Sequence, residues 1–481
     1  MSKWARLIPL SSQVWHGLAK SLPDTINDVN GETNTETLAE TLTVRPGDPV
    51  PTLSVRSWFV DGVTPEAPAP FVGGLPATSM EFLTQLPTDT LACWVRGNSG
   101  LVGFGRTVRI RARGGSRFSD LSTLWRSISD NATVDNPVRL PGSGLVGFTT
   151  IAFAEDSHAE SVIDIPQFIM GRRDGRVWLT AVNVTGAPHT ELKLRDAALQ
   201  PPRDPQVHDG HVSGERYTRA VTQAIEIMQS GRASKIVVAR DAVVETSNDI
   251  DVRAQVGALN QAYPSTWTFC VAGMVGATPE LLISRSGDRV ESRVLAGTYR
   301  VSNDPRSELA AARAQLGGAK DTAEHRYAID SLAQTLSPLC SELEVDPEPH
   351  LLALSNVIHL ASDAHGIVKP GHTLLDVAQA VHPTAAVGGV PREAAWEHIA
   401  HVEKTDRGRY AGPVGWIDGN GDGQLGIALR CGQLESRNRI RLWAGCGIMP
   451  DSDPASELAE TRAKLTPMMT ALGAAHLIDQ V

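Results

Sequence analysis

The sequence predicts a mixed α/β (α+β) fold, and three observations support that class. Short strand-like runs, separated by Gly, Ser and Asp turns, dominate residues 90–185. Apolar residues keep helical spacing from Tyr217 to Met228, and a second, longer helical stretch spans residues 305–337. Strands return at 410–446 without internal repeats or a regular βαβ period, so the sequence does not favour a doubly wound parallel sheet.

The composition narrows the possible classes of function. The chain has 481 residues with 41% apolar and 20% charged content, so it can bury a large core, and length alone would suggest about three domains. A net charge of −10 gives no general electrostatic case for binding nucleic acid or an anionic membrane surface. No stretch of 18 apolar residues occurs, the N-terminus is a poor signal peptide, and the five cysteines form no CxxC pair. We therefore expect a soluble protein of the reducing cytoplasm, with neither a disulfide framework nor a zinc site.

The first half of the chain is predicted to supply strands and one loop. Residues 24–42 are acidic and rich in Thr and Asn, with few large apolar side chains, which is typical of a mobile loop. The rest of residues 1–205 supplies short strands, and "PPRDPQVHDG" at 201–210 marks the boundary. The second half, residues 206–478, opens with the helix that ends near Gly231.

The segment "SKIVVARD" at 234–241 follows that helix and is predicted to form a strand buried on both faces. Four consecutive apolar residues, rich in β-branching, lie between Lys235 and Arg240. Lys235 therefore lies at the mouth of a buried strand. The residues alone leave two interpretations open: a functional lysine, or one that only caps a strand end in solvent.

The last helix opens with "DSDPASELAETRAKL", in which Asp453 is the predicted N-cap and a proline occupies the first helical position. At about 100° per residue, Glu457, Glu460 and Lys464 lie within roughly 60° of one another, beside an apolar stripe. Two carboxylates thus lie at the margin of the core. The alternative is a solvated Glu460–Lys464 ion pair at i, i+4, worth about 0.3 to 0.5 kcal/mol.

A second carboxylate pair has the same spacing. In "KDTAEH", Asp321 and Glu324 are three residues apart at the start of another predicted helix. They are also compatible with a capping box, in which Asp321 is the N-cap and Glu324 occupies the third position. Alternatively, the two helix starts face each other across a divalent cation, and oxygen ligands without His or Cys favour Mg²⁺ over zinc.

The segment "DGNGDGQLGIAL" begins like a calcium-binding loop but fails at its last ligand. The twelfth position is Leu429, where a bidentate Glu is required. We interpret it as a Gly-rich hairpin between "VGWI" and "QLGIALR".

Nine motifs, in register over residues 213–472, resemble those of the chorismate-utilising enzymes, and most closely the isochorismate synthases. This resemblance implies a single large domain in which antiparallel sheets form a core flanked by helices, and it replaces the expectation of three domains. Residues 206–478 then form the chorismate-binding catalytic core. The motifs are "SKIVVAR", "GATPELLI", "LAGT", "KDTAEH", "HLAS", "PTAAVGGVP", "GRYAGPVGWID", "GIALR" and "AGCGIMPDSDPASELAETRAKL".

The resemblance implies that Lys235 is the general base and Glu280 the general acid. The base deprotonates a water that attacks C2 of chorismate, and the acid protonates the departing C4 hydroxyl. A lysine can act as a base only if its neutral form is favoured, through burial or nearby cations. The acid must be protonated, which requires a raised pKa. For Glu280 the residues alone equally allow a solvated strand-start residue.

The resemblance also implies a Mg²⁺ site and a substrate pocket. Glu324 and Glu460 match metal ligands, with Asp321 and Glu457 as partners through water. Tyr410 and Arg430 match residues that grip the enolpyruvyl carboxylate, a task suited to a planar guanidinium. The remaining pocket wall matches Gly297, Thr298, His359, Gly445 and Lys464. His359 could otherwise be a hydrogen-bonded histidine of the core.

Three positions choose among the reactions of this family. Relatives that use ammonia typically carry glutamine or another residue in place of Lys235, and one type of aminodeoxychorismate synthase has a nucleophilic lysine in place of Ala296. Water is therefore the expected nucleophile, and no amidotransferase subunit is expected. Salicylate synthases keep the base but usually have a threonine in place of Ala386, which favours release of isochorismate here.

Some alternatives remain open at this point. Salicylate synthesis, amination, and a non-catalytic Mg²⁺-stabilised interaction protein of the same fold are the other candidate functions. The sequence also leaves open whether the product is used to make menaquinone or a siderophore. We expect a monomer or weak homodimer that acts on a small molecule.

Overall fold

The structure is a computed structural model that describes residues 42–60, 91–187, 198–301, 306–353 and 357–481. The predicted mobile loop at 24–42 lies outside these residues except for Leu42. The side chains of Ala296, Thr298, Asp321 and Glu324 also lie outside the described part of the chain, although their backbones belong to regular elements.

Within the described residues the chain forms 24 strands. In chain order they are β1 (Leu42–Val44), β2 (Leu53–Phe59), β3 (Ala92–Arg96), β4 (Ser99–Phe104), β5 (Val108–Ala112), β6 (Thr133–Asp135), β7 (Val146–Thr150), β8 (Ser161–Ile165), β9 (Phe168–Arg173), β10 (Arg176–Val184), β11 (Gln206–Asp209), β12 (Lys235–Glu245), β13 (Trp267–Val271), β14 (Met274–Thr278), β15 (Leu281–Ser286), β16 (Arg289–Arg300), β17 (Cys340–Val345), β18 (His350–Ala353), β19 (Val357–Val368), β20 (Gly389–Val390), β21 (Pro413–Asp418), β22 (Gly423–Ile427), β23 (Cys431–Ser436) and β24 (Arg439–Ile448).

Eight α-helices and a C-terminal 3₁₀ helix at Ala475–Gln480 complete the described elements. None of these helices is long and apolar enough to cross a membrane. The α-helices are α1 (Arg117–Asp130), α2 (Gly214–Gln229), α3 (Val252–Ala262), α4 (Leu309–Leu316), α5 (Ala319–Leu336), α6 (Leu374–Val381), α7 (Arg392–Glu403) and α8 (Pro454–Ala471).

The strands form two large sheets in which nearly all neighbours are antiparallel. One sheet has 11 described strands, in the order β1-β5-β8-β7-β21-β22-β15-β16-β19-β17, with β18 also paired to β19. The other has 13, in the order β11-β12-β24-β23-β14-β13-β3-β4-β9-β10-β2-β6, with β20 paired to β12. Both sheets contain strands from each side of residue 205, so the two halves of the sequence are interleaved. The division at 205/206 stays a prediction.

The main core lies between the two sheets. Trp94 of β3 and Phe148 of β7 come from different sheets and belong to one buried apolar cluster. The Trp94 indole N–H also donates across this layer to the Gln424 side chain, at 3.1 Å. Smaller clusters pack α3 and α8 on one outer face, and α2 and α7 against β12. The predicted α/β class, with antiparallel sheets flanked by helices, is confirmed.

The strand β12 is buried along almost its whole length, as the apolar run predicts. Lys235 is its first residue and is 1% exposed, so the interpretation as a strand cap in solvent is wrong. It pairs with Val390 of β20. The preceding residue of β20, Gly389, lies so close that a Cβ there would be 2.3 Å from the Lys235 carbonyl oxygen. The backbone of the predicted base is therefore held tightly.

The other local predictions had mixed outcomes. Asp453 caps α8 by accepting the Ser456 N–H at 2.8 Å, with Pro454 as the first helical residue, as predicted. The hairpin between β21 and β22 is also confirmed. The capping box at Asp321 is wrong, because α5 begins at Ala319 with Gly318 as its N-cap.

Candidate active site

A cavity of about 580 Å³ opens where β12, β24, β16 and the first turns of α8 meet. Its described lining is largely polar backbone and charged side chains rather than a continuous apolar wall. Ten predicted site residues line it together, although they are spread over 185 positions of the sequence from Glu280 to Lys464. They are Glu280, Gly297, His359, Ala386, Tyr410, Arg430, Gly445, Glu457, Glu460 and Lys464.

Lys235 is buried and is not among the described residues that line the cavity. Side chains two residues apart along a strand share one face, so Lys235 points to the same side as Val237, which lines the cavity. The positive charge of Lys235 also acts on the Glu280 carboxyl. The predicted base is therefore close enough to the predicted acid for its charge to act on that carboxyl.

Glu280 lies between β14 and β15 and is 4% exposed, so it is not a solvated strand-start residue. Burial raises the pKa of its carboxyl to about 8, although Lys235, Arg430 and Lys464 act in the opposite direction. Its backbone oxygen accepts the Ile427 N–H at 3.1 Å, which fixes the segment against β22. At neutral pH this carboxyl holds its proton and can donate it.

Glu460 has the opposite electrostatic state. Burial alone would raise the pKa of this carboxyl, but the charge and hydrogen bond of Lys464, together with Cys446 and Arg430, lower it to about 2. The Lys464 amine is 2.6 Å from Glu460 and also donates to the Gly445 carbonyl at 2.8 Å. The i, i+4 ion pair considered from the sequence thus exists, but it borders the cavity instead of lying in bulk solvent.

A Mg²⁺ ion would find oxygen ligands at this end of α8. Glu457 is buried and accepts a hydrogen bond from Ser452 at 2.8 Å. Carboxylate oxygens of Glu457 and Glu460 and the Cys446 thiol lie within 4.8 Å of one another. Two carboxylates, one of them firmly ionised, suit a hard cation that keeps several waters, so the described residues fit Mg²⁺. The sequence prediction did not include Cys446.

Arg430 and Tyr410 also line the cavity. The Arg430 guanidinium has no hydrogen-bond or ion-pair partner among the described residues, and burial lowers its pKa. Its backbone has φ 50°, a left-handed conformation that is uncommon outside glycine. Tyr410 is 4% exposed and stacks on Trp443 with ring centroids 5.9 Å apart. A guanidinium without an internal partner can bind a carboxylate from outside.

His359 also lines the cavity, and its Nδ1 is 3.0 Å from the Gly297 carbonyl oxygen. Burial, together with the charge of Arg430, lowers the pKa of His359 to about 4, so the ring is neutral at pH 7. Gly297 has φ 72°, a left-handed conformation that favours glycine and turns its carbonyl toward the imidazole. The side chains of Thr298, Asp321 and Glu324 lie outside the described residues, so their predicted positions stay predictions.

One buried ion pair beside the cavity was missed from the sequence. Arg407 lines the cavity and pairs with Glu403, with side chains 3% and 1% exposed. Arg407 is one residue before the motif "GRYAGPVGWID", and the i, i+4 spacing of Glu403 and Arg407 is a second signal that could have indicated the pair.

Comparison with known proteins places the chain among enzymes of one family. The family described as "Chorismate binding enzyme" matches residues 77–473. Isochorismate synthase DhbC of Bacillus subtilis is 37% identical over 275 residues, covering 55% of this chain and 69% of that protein. A Pseudomonas aeruginosa protein named salicylate biosynthesis isochorismate synthase is 29% identical over 411 residues, covering 81% of this chain and 86% of that protein.

Among solved structures, the menaquinone-specific isochorismate synthase MenF from Escherichia coli superposes with a TM-score of 0.70. The match covers 88% of this chain and 95% of that chain, at 19% sequence identity. At this identity the likeness establishes the fold alone.

Proposed function

This chain belongs to the chorismate-binding enzyme family, and from that premise we propose that it is an isochorismate synthase. It is an isomerase that moves the hydroxyl function of chorismate from C4 to C2. The observation that carries the proposal is a carboxyl of raised pKa, Glu280, that lines the cavity and is acted on by the charge of the buried Lys235.

In the proposed reaction Lys235 takes a proton from water as the oxygen bonds to C2. The ring double bonds shift, and the C4–oxygen bond breaks. Glu280 gives its proton to the departing hydroxyl, which leaves as water, so the overall reaction is an isomerisation. The pKa of about 8 keeps Glu280 protonated before this step at neutral pH.

The other residues hold the substrate. Arg430 and Tyr410 bind the enolpyruvyl carboxylate, because the guanidinium has no hydrogen-bond or ion-pair partner within the described part of the chain. Neutral His359 and the Gly445 backbone shape the remaining wall. Glu460 and Glu457, together with the predicted ligands Glu324 and Asp321, would hold Mg²⁺, which when bound supplies positive charge for the ring carboxylate.

Isochorismate release is preferred over salicylate synthesis because of Ala386. It lines the cavity with a methyl group where a hydroxyl would be expected for pyruvate elimination. The relatives described above are also named as isochorismate synthases.

The test is to incubate the purified protein with chorismate, with and without Mg²⁺, and to separate the products by chromatography. We expect isochorismate only, formed only with Mg²⁺, and unchanged products when ammonium salts are added. Salicylate with pyruvate would replace the proposal by salicylate synthesis, and an aminated product would overturn the choice of nucleophile.

Metal binding is tested separately by calorimetry. Glu460→Gln removes an anionic oxygen ligand and should weaken Mg²⁺ binding and abolish Mg²⁺-dependent turnover, as should Glu324→Gln. Glu397→Gln is the matched control, because Glu397 is an exposed residue of α7 outside the cavity lining. Equal Mg²⁺ affinity in Glu460→Gln and Glu397→Gln would remove the proposed site.

A further inference from the structure

The strand β12 has a gap in its pairing with neighbouring strands beside the cavity. On one edge it pairs continuously with β24. On the other edge β20 pairs only with Lys235 and Ile236, and β11 pairs only from Ala242 onward. Among the described residues, no strand covers the section from Val237 to Asp241 on that edge.

The buried pair Glu403–Arg407 fills this gap. The Ala239 N–H donates to the Glu403 carboxylate at 2.7 Å, and Arg407 Nη2 donates to the Val237 carbonyl at 2.9 Å. Arg407 Nη1 also donates to the Val387 carbonyl at 2.9 Å. The guanidinium therefore bridges β12 and the loop before β20 at the point where their backbones separate to open the cavity.

The pair itself is rigidly held. Arg407 Nε is 2.9 Å from one Glu403 oxygen, and Nη2 is 2.5 Å from the other. The guanidinium carbon also lies over the Phe153 ring, 4.5 Å from its centre. A planar, bidentate pair in this setting fixes distances between backbone segments, which a flexible lysine cannot do.

The two segments that the pair joins carry predicted site residues. Lys235 is two positions before Val237 on the same face of β12, and Ala386 immediately precedes Val387. Arg407 makes four hydrogen bonds within the protein and its charge is balanced by Glu403. It therefore differs from Arg430, whose guanidinium has no hydrogen-bond partner among the described residues.

We propose that Glu403 and Arg407 are a positioning pair that sets Lys235 against the loop of Ala386, and so against the bound substrate. This inference rests on the proposed isochorismate synthase function. Small misplacements of a catalytic group are costly, because the rate depends on the near-attack geometry. The pair then affects the chemical step more than substrate binding.

The experiment compares Arg407→Lys with Arg253→Lys by steady-state kinetics, at equal concentrations of folded protein. Arg253 is the matched control, since it pairs with Asp251 in an equally buried site, at 2.7 Å, outside the cavity lining. We expect Arg407→Lys and Glu403→Gln to lower kcat about 10- to 100-fold with KM within about threefold. Arg253→Lys should keep kcat. Added guanidinium, below denaturing concentrations, should partly restore kcat in Arg407→Ala but not in Glu403→Gln.

Hydrogen exchange gives a measurement that does not depend on activity. The Ala239 amide should exchange faster in Arg407→Lys and Glu403→Gln than in the parent. Its exchange rate in Arg253→Lys should equal that of the parent. An unchanged kcat in Arg407→Lys, or an equal loss in Arg253→Lys, would overturn the positioning role. A parent protein that does not isomerise chorismate would instead overturn the proposed function. In that case, an Ala239 exchange rate that is unchanged in Arg407→Lys and Glu403→Gln would show that the pair does not hold β12 in place.

Discussion

Glu280 and Glu460 show how one residue type takes opposite states in one cavity. Both carboxyls are influenced by Arg430 and Lys464, yet the pKa is about 8 for Glu280 and about 2 for Glu460. The difference arises because Lys464 is hydrogen bonded to Glu460, whereas burial dominates at Glu280. One carboxyl is thereby suited to donate a proton and the other to bind a cation.

Glu280 should limit activity at alkaline pH. If it donates its proton in the rate-determining step, kcat should fall as pH rises through about 8, the pKa of the buried carboxyl. A pH–rate profile measures this limb. Glu280→Gln should lower kcat strongly and abolish the limb, and a profile flat from pH 7 to about 9.5 would contradict the assignment.

The same carboxyl should make stability depend on pH. Because the folded-state pKa is higher than the unfolded one, the folded state binds more protons between them, so stability should fall as pH rises from about 4.5 to about 8. Glu280→Gln removes this dependence. Urea unfolding at both ends of that range measures the fall in unfolding free energy. This fall should be larger in the parent than in Glu280→Gln, by the contribution of the Glu280 carboxyl.

Lys235→Ala separates a base from a structural lysine. We expect chorismate to bind still, because Arg430 and Tyr410 remain, while kcat falls about 10²- to 10⁴-fold. Lys369 is a suitable control, since it is an exposed lysine that donates to the Pro338 carbonyl, at 2.7 Å, and does not line the cavity. Turnover of Lys235→Ala within about threefold of Lys369→Ala would exclude the proposed base.

At the scale of elements, the sequence indicated best those features that depend on neighbours in the chain. The apolar run after Lys235 predicted a buried strand, and Asp453 with Pro454 predicted the start of α8. The start of α5 was misplaced because Asp321 resembles a cap, whereas the helix begins earlier, after Gly318. A polar pattern near a helix start does not fix which residue is the cap.

The backbone contacts of the Glu403–Arg407 pair could not be predicted in this way. Its partners are backbone atoms of Val237, Ala239 and Val387. In β12, Ala239 is 164 positions from Glu403, and Val237 is 170 positions from Arg407. Backbone acceptors have no sequence signature. Only the folded topology shows that these two side chains replace a missing strand.

The close approach of β20 to β12 gives an element-scale prediction. A Cβ on Gly389 would meet the Lys235 carbonyl oxygen at 2.3 Å, so Gly389→Ala must separate the two strands. We expect a loss of about 2 kcal/mol or more in unfolding free energy, together with reduced kcat. Gly371→Ala is the control, because that glycine has φ 94° but nothing within 4 Å of the added carbon. Equal effects of the two substitutions would show that backbone conformation, and not the contact with Lys235, is responsible.

At the scale of the whole molecule, the predicted catalytic residues all come from the second half of the sequence, but both sheets depend on the first half. The strand β3 lies between β13 and β4 in the larger sheet, and β7 pairs with β21 in the other. The family resemblance supplied this single-domain architecture, whereas length alone suggested three domains. Length carries no information about how strands from distant segments pair.

A fragment of residues 206–481 should therefore fail to fold by itself, although it carries all the predicted site residues. This fragment lacks β3 and β7, so the edges of β13 and β21 would be exposed. The core between the sheets would also lose Trp94 and Phe148. Unpaired strand edges and exposed apolar faces promote aggregation rather than a smaller stable domain. We expect an aggregated fragment without near-ultraviolet circular dichroism, and recovery of soluble protein when residues 1–205 are co-expressed. A soluble fragment with native-like circular dichroism would contradict this prediction. It would mean that residues 206–481 fold without the strands of residues 1–205, and that those strands contribute little to the stability of the cavity.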